Sequence, residues 1–249
     1  MKRGLLTTHP AVIAVWAALI AAVMLVPAFP IIGTGATFSV SAALFPLAGI
    51  LFGPVAGALC AAIGAFVGQL IAPHTVFFGP LSFLIPTLGA FCAGMAMTKR
   101  WYVPLLATLA FSGAWYLVPL GRVAWFEPAV WLLGVVACLV GWFVASGWIG
   151  SDNRTRIFIG VFLAALAGTI VDHAFGSLWA LIQYQLPAEI WLAALPLAPL
   201  ERTLFAVGAA VIGTPLLVGL PKIGLPVGQR MADLDEGPED DDLSPAAGS

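Results

Sequence analysis

The stretch LFGPVAGALCAAIGAFVGQLIAPHTVFFGPL, residues 51–81, carries no charged side chain and lacks the Leu, Ile and Val bulk of a helix that simply faces lipid. Gly53, Gly57, Ala61 and Ala65 recur at every fourth position, and Gly64 and Gly68 form a second pair. Lipid is as apolar as leucine, so membrane helices associate by close backbone approach, which small residues four apart permit. The stretch predicts a membrane helix over 54–72, central and packed on two sides. The triplet Phe-Gly-Pro occurs at 52–54 and again at 78–80. Glycine supplies an unusual backbone angle and proline opens a helix where its missing N–H costs nothing, so each triplet predicts a turn into a helix.

The rest of the chain follows suit. It is 61% hydrophobic and 9% charged over 249 residues, whereas soluble domains carry about 25% charged residues. The expected fold class is all-α, a polytopic integral membrane bundle of six to eight helices. Eight apolar runs are read, at 10–28, 38–52, 54–72, 81–98, 103–120, 128–149, 156–184 and 199–220, the second of them short. Threading eight spans from the inside puts Lys2, Arg3, Lys99, Arg100, Arg154, Arg156, Lys222 and Arg230 on one side and only Arg122 and Arg202 on the other. Lys and Arg collect on the cytoplasmic side, so both termini are expected there, in a multi-pass protein of the cell membrane. Six spans keep the same sidedness. Met1-Lys2-Arg3 before an apolar run resembles a signal peptide, but the run from Pro10 to Phe29 is long for one and no clear A-x-A site follows, so an uncleaved first helix is expected. Seven of the twelve acids fall in MADLDEGPEDDDLSPAAGS at the end. The organisation expected is a bundle over 1–225 and a disordered acidic cytoplasmic tail over 226–249, either plainly solvated or a docking peptide.

An ionisable residue inside an apolar span is a functional-site candidate by default. Asp172 and His173 sit two-thirds along run 156–184, Gln183 and Tyr184 end it, Trp191 lies in the loop beyond, Glu201 and Arg202 open the last run, and His74 lies just past the outer end of run 54–72. Each also has a plainer role available: interfacial pairing for Glu201 and Arg202, a bond to a neighbouring helix for Asp172, solvation for His74, membrane-surface anchoring for Tyr184 and Trp191. Trp115, Trp125, Trp131, Trp142 and Trp148 read as lipid-facing anchors. Cys60, Cys92 and Cys138 read as small core hydrophobes. No H-E-x-x-H, G-x-S-x-G or Walker A motif is present. The chain is therefore read as no enzyme, with no cofactor, no metal and no nucleic-acid partner, and with uphill transport powered by a partner or an ion gradient.

The run PIIGTGATFSVSAALFPLAGILFGPVAGALCAAIGAFVGQLIAP, residues 30–73, and the closing ERTLFAVGAAVIGTPLL, residues 201–217, resemble the substrate-binding S components of energy-coupling factor (ECF) transporters. The resemblance covers roughly the first 100 and the last 60 residues. It implies a capture subunit for a vitamin-like small molecule, seated in membrane lipid, with a coupling transmembrane subunit and two cytoplasmic ATPases as partners. It implies that Ala14, Ala18 and Ala22, with Ala17 and Ala21 beside them, meet the coupling subunit. The pocket would then lie near the outer face, closed by 31–37, 73–80 and the stretch from the end of run 156–184 to Arg202. That family commonly has six spans, so the hairpin 103–149 reads as an insertion or the short run 38–52 as a miscount. The other readings weighed are a self-sufficient secondary transporter or channel, a membrane enzyme acting on lipid through Asp172, His173 or Glu201, and a structural role.

Overall fold

The computed structural model describes residues 8–228, which excludes Lys2, Arg3, Arg230 and nearly all of the tail read from 226 onward. The described residues are helical apart from one short hairpin and the connecting loops. Helices α1 (Pro10–Val23), α2 (Leu44–Phe52), α3 (Pro54–Ile71), α4 (Leu84–Met97) and α5 (Tyr102–Leu117) lead to the small α6 (Pro119–Val123). Then follow α7 (Pro128–Phe143), α8 (Arg154–Tyr184), the small α9 (Ala188–Ala194) and α10 (Leu197–Gly219). Strands β1 (Pro27–Pro30) and β2 (Thr37–Ser39) pair antiparallel between α1 and α2. The first apolar run therefore stops being helical at Val23 and continues as the first strand of a cover. Among the described residues, four segments are long and apolar enough to cross a membrane: Pro54–Ile71, Gly79–Met97, Arg154–Tyr184 and Leu197–Ile223. Pro10–Val23, Val40–Phe52, Tyr102–Leu117 and Pro128–Phe143 are shorter apolar helices.

Both Phe-Gly-Pro triplets turn as their chemistry predicts. Gly53 has φ +83° and Gly79 φ +65°, conformations that side chains resist. Pro54 opens α3, and Pro80 sits in the 3-10 turn ahead of α4. Helix α8 starts under Asn153, whose Oδ1 accepts from the N–H groups of Thr155 (2.9 Å) and Arg156 (3.3 Å).

The two small-residue rows of α3 serve two partners. A Cβ on Gly57 would lie 2.4 Å from the Gly49 Cα on α2. One on Gly64 would lie 2.8 Å from the Ala17 carbonyl of α1, and one on Gly68 would strike the Met24 sulfur. The other side of α3 stays exposed with Leu59, Ile63, Phe66 and Leu70. The centre belongs instead to α8, which packs against α4, α7, α5 and α10. Every residue of α2 is buried. It is short because it is enclosed by α3, α4, α8 and α10 rather than by lipid. The outward faces of the bundle carry Val15, Leu70, Leu106, Leu132, Val136, Phe143 and Val211, all exposed.

The tryptophans of the hairpin split between two roles. Trp125 and Trp142 are exposed, but Trp115 and Trp131 are fully buried, packed edge to face at 5.5 Å. A buried indole N–H gains from an acceptor; Trp131 Nε1 makes no hydrogen bond to the described residues, whereas Trp115 does. The turn of α6 supplies two, and Trp115 Nε1 donates to Gly121 O (2.9 Å) and Ala124 O (3.2 Å). Trp115→Phe should keep a six-membered ring but remove the donor from Gly121 O, while Ala124 O still accepts from the Glu127 N–H, lowering stability by about 1–3 kcal/mol, as read by the unfolding midpoint of the purified protein. The three cysteines are buried and free, as small apolar packing residues would be.

Candidate functional site

At one end of the bundle the helices part around a cavity of about 200 Å³. Its walls come from the C-terminal ends of α1, α3 and α8 and the N-terminal ends of α4 and α10, with Glu127 from the start of α7. Residues from 30–39 of the hairpin and from 186–194 around α9 line it as well. These two covers touch, since a Cβ on Gly33 would lie 2.5 Å from Ile190 Cγ2. The opposite end of the bundle holds Arg154 and Lys222 around a separate depression. There Thr8 donates to Phe52 O and the Gly228 N–H to Leu51 O. The cavity and the basic loops thus occupy opposite ends.

Most of the lining is apolar, including Phe45, Phe83, Ile85, Ala180 and Leu197. Its charged groups form two clusters joined through α8. In the first, Arg202 Nη1 donates to Asp172 Oδ1 at 2.9 Å, and its Nη2 lies 3.8 Å from Glu201 Oε2. The guanidinium is 2% exposed and lies 4.5 Å from the Phe38 ring centre and 5.7 Å from that of Phe205. A charge this deep is held only by opposite charge and polar contacts. Asp172 reaches Arg202 because Gly89 on α4 leaves room beside it; a Cβ on Gly89 would lie 2.9 Å from Asp172 Cβ.

In the second cluster His173 Nε2 lies 3.2 Å from Glu127 Oε1, and Ser177 Oγ is 3.5 Å from the same oxygen. Glu127 is 1% exposed. It stands immediately ahead of Pro128 at the positive end of the α7 dipole, a favourable place for a carboxylate. Five buried polar atoms on lining residues make no hydrogen bond to the described residues: Thr37 Oγ1, Gln69 Oε1, Glu127 Oε2, and Arg202 Nε and Nη2, the last still within ion-pair distance of Glu201. Gln69 spends its amide N–H on Pro80 O at 2.9 Å, which leaves its carbonyl free.

Five of the eight residues singled out from sequence line this cavity: Asp172, His173, Trp191, Glu201 and Arg202. Trp191 is held by a bond from Nε1 to Leu186 O (3.1 Å) and by edge-to-face contact with Trp115 at 5.0 Å. The other three lie at the rim. His74 and Tyr184 border a shallow depression with Gly33 and Thr34, so His74 does not converge with Asp172 and His173. Gln183 accepts from Trp179 Nε1 (2.7 Å). The Tyr184 hydroxyl donates to Phe77 O, and its ring lies against Phe77. Both therefore brace the aromatic lip. Sequence reasoning passed over Glu127 within the loop GRVAWFEP; its signal is an acid set directly before a helix-opening proline. On α1, Ala17 and Ala21 are buried within the chain, while Ala14, Ala18 and Ala22 remain exposed.

No family profile and no solved structure matches the chain. An uncharacterized protein of the archaeon Methanocaldococcus jannaschii is 25% identical over 179 residues, 72% of this chain and 60% of that protein. The chain thus spans less than two thirds of that relative's length.

Proposed function

We propose that this protein is the membrane-embedded capture subunit of an ECF-type importer for a vitamin-like small molecule. It crosses the cell membrane six to eight times, with both ends and the loops bearing Lys99, Arg100, Arg154, Arg156 and Lys222 facing the cytoplasm. The observation that carries the reading is the cavity itself. It is an apolar hollow with a few convergent polar groups, the ordinary make-up of a small-molecule site, and it lies at the end away from the basic loops. The exposed valines, leucines and phenylalanines around the bundle suit lipid, not water.

Capture would proceed by entry past the hairpin loop and α9, with aromatic walls enclosing the ligand and Asp172, Glu201 and Arg202 fixing its orientation. Release inward requires movement against a coupling subunit driven by two ATPases. The exposed row Ala14, Ala18 and Ala22 offers that subunit a smooth face. The test is to purify the chain alone, identify retained small molecules by mass spectrometry, and measure uptake of that compound in cells with and without a coupling subunit and its ATPases. The expected result is one retained polar micronutrient and uptake only with the partners. Uptake into liposomes by the chain alone, driven by a proton or sodium gradient, would replace this reading with a secondary transporter. Recovery of lipid only would remove the capture role.

A further inference from the structure

We infer that the cavity selects a small organic cation, an aromatic or apolar body whose protonated nitrogen seats against Glu127 and whose neutral acceptor meets Arg202. This rests on the reading of the cavity as a ligand site and adds the chemical class of what it takes. The charge count of the lining comes first. Three carboxyl side chains, Glu127, Asp172 and Glu201, face one guanidinium, Arg202. With His173 neutral those three acids face one base, which Asp172 and Glu201 already share, so an ionised Glu127 has no cation beside it. A buried charge without a partner costs several kcal/mol, and a cationic ligand supplies the partner.

Geometry then identifies which carboxyl group is short of one. Asp172 and Glu201 are both turned to Arg202. Glu127 gives Oε1 to His173 and Ser177, while its Oε2 is buried with no hydrogen bond to the described residues. Glu127 is one of the residues that line the cavity, so a donor admitted there is the partner this carboxyl group lacks.

The aromatic lining points the same way. Phe38, Phe45, Phe77, Phe78, Phe83 and Trp191 line the cavity, and ring faces attract cations, most strongly where water is excluded. The protein already holds one cation in this manner, Arg202 beside Phe38 and Phe205. The open Nε and Nη2 of Arg202 do not call for an anion. Two carboxyl groups already balance that guanidinium, so a neutral carbonyl or ring nitrogen satisfies its free N–H groups.

The experiment uses the purified full chain and three probes that share one ring and differ in head group: phenethylamine, 2-phenylethanol and phenylacetate. Binding is followed by thermal shift and calorimetry at millimolar probe. The amine should bind about tenfold tighter than the alcohol, the worth of one charge-assisted hydrogen bond, and the acid weakest. Glu127→Gln should bring the amine down to the alcohol's affinity and leave the alcohol unchanged. If that variant fails to fold, the ranking on the unaltered chain decides. The alcohol or the acid binding as well as the amine would overturn the cationic class and leave the capture reading standing. Binding of none of the three would overturn both.

Discussion

Arg202→Met should lower the stability of the purified protein by about 3–5 kcal/mol, the cost of breaking a buried ion pair from one side. Methionine keeps much of the arginine's length and packing, so the loss isolates charge from volume. The variant leaves Asp172 and Glu201 buried together with no cation, where a single guanidinium now answers both, at 2.9 Å and 3.8 Å. Removing the acids as well, as Asp172→Asn and Glu201→Gln in the same chain, should recover most of the loss, because a neutral site no longer holds uncompensated charge. The non-additivity is the diagnostic feature, since neighbouring charges in one network couple strongly. Unfolding midpoints of the single and triple variants in one detergent test it. A single variant as stable as the parent, or a triple variant that merely sums three losses, would contradict the buried network.

The same cluster shows how far the sequence reached. Hydropathy located the apolar runs because every backbone polar group in such a segment must be satisfied within a helix, which leaves a long uncharged signature. The rarity of ionisable residues then marked Asp172, His173, Glu201 and Arg202 individually. What hydropathy does not carry is rotation. Ala14 and Ala17 are equally small, yet one faces outward and the other α3. Trp115 and Trp125 look alike as anchors, but one is enclosed and bonded to the α6 turn while the other is exposed. Glu127 has a local signal, the acid before a helix-opening proline, but its place in the cavity is hidden for the same reason. Its partner His173 lies 46 positions away, and only the packing of α7 on α8 brings them together. The rim residues His74, Gln183 and Tyr184 are close to the cavity along the chain but turned to the lip, a difference of direction rather than of position.

Gly49→Leu should prevent the bundle from forming at all. At this point α2, α3 and α4 approach through backbone alone. A Cβ on Gly49 would lie 1.9 Å from Ala90 O and 2.8 Å from Gly94 N, and one on Gly94 would lie 2.5 Å from the Pro54 Cα. None of these atoms belongs to a side chain that can turn aside. Overpacking a core costs about 1–3 kcal/mol where side chains can shift, and here whole helices must separate. Under the membrane placement proposed above, parting them removes the tight contact on which association in lipid depends, since no hydrophobic force between helices makes up the loss. Because α2 is buried on every side, displacement would pass to α8 and α10 and carry Asp172 away from Arg202. The control is Gly113→Ala on the exposed side of α5, where a Cβ meets nothing within 4 Å. That change should leave stability unaltered or raise it by up to about 1 kcal/mol through helix propensity. Size-exclusion profiles of the detergent-extracted variants separate the two expectations. A monodisperse Gly49→Leu protein with the parent's unfolding midpoint would mean that the three helices do not meet through their backbones.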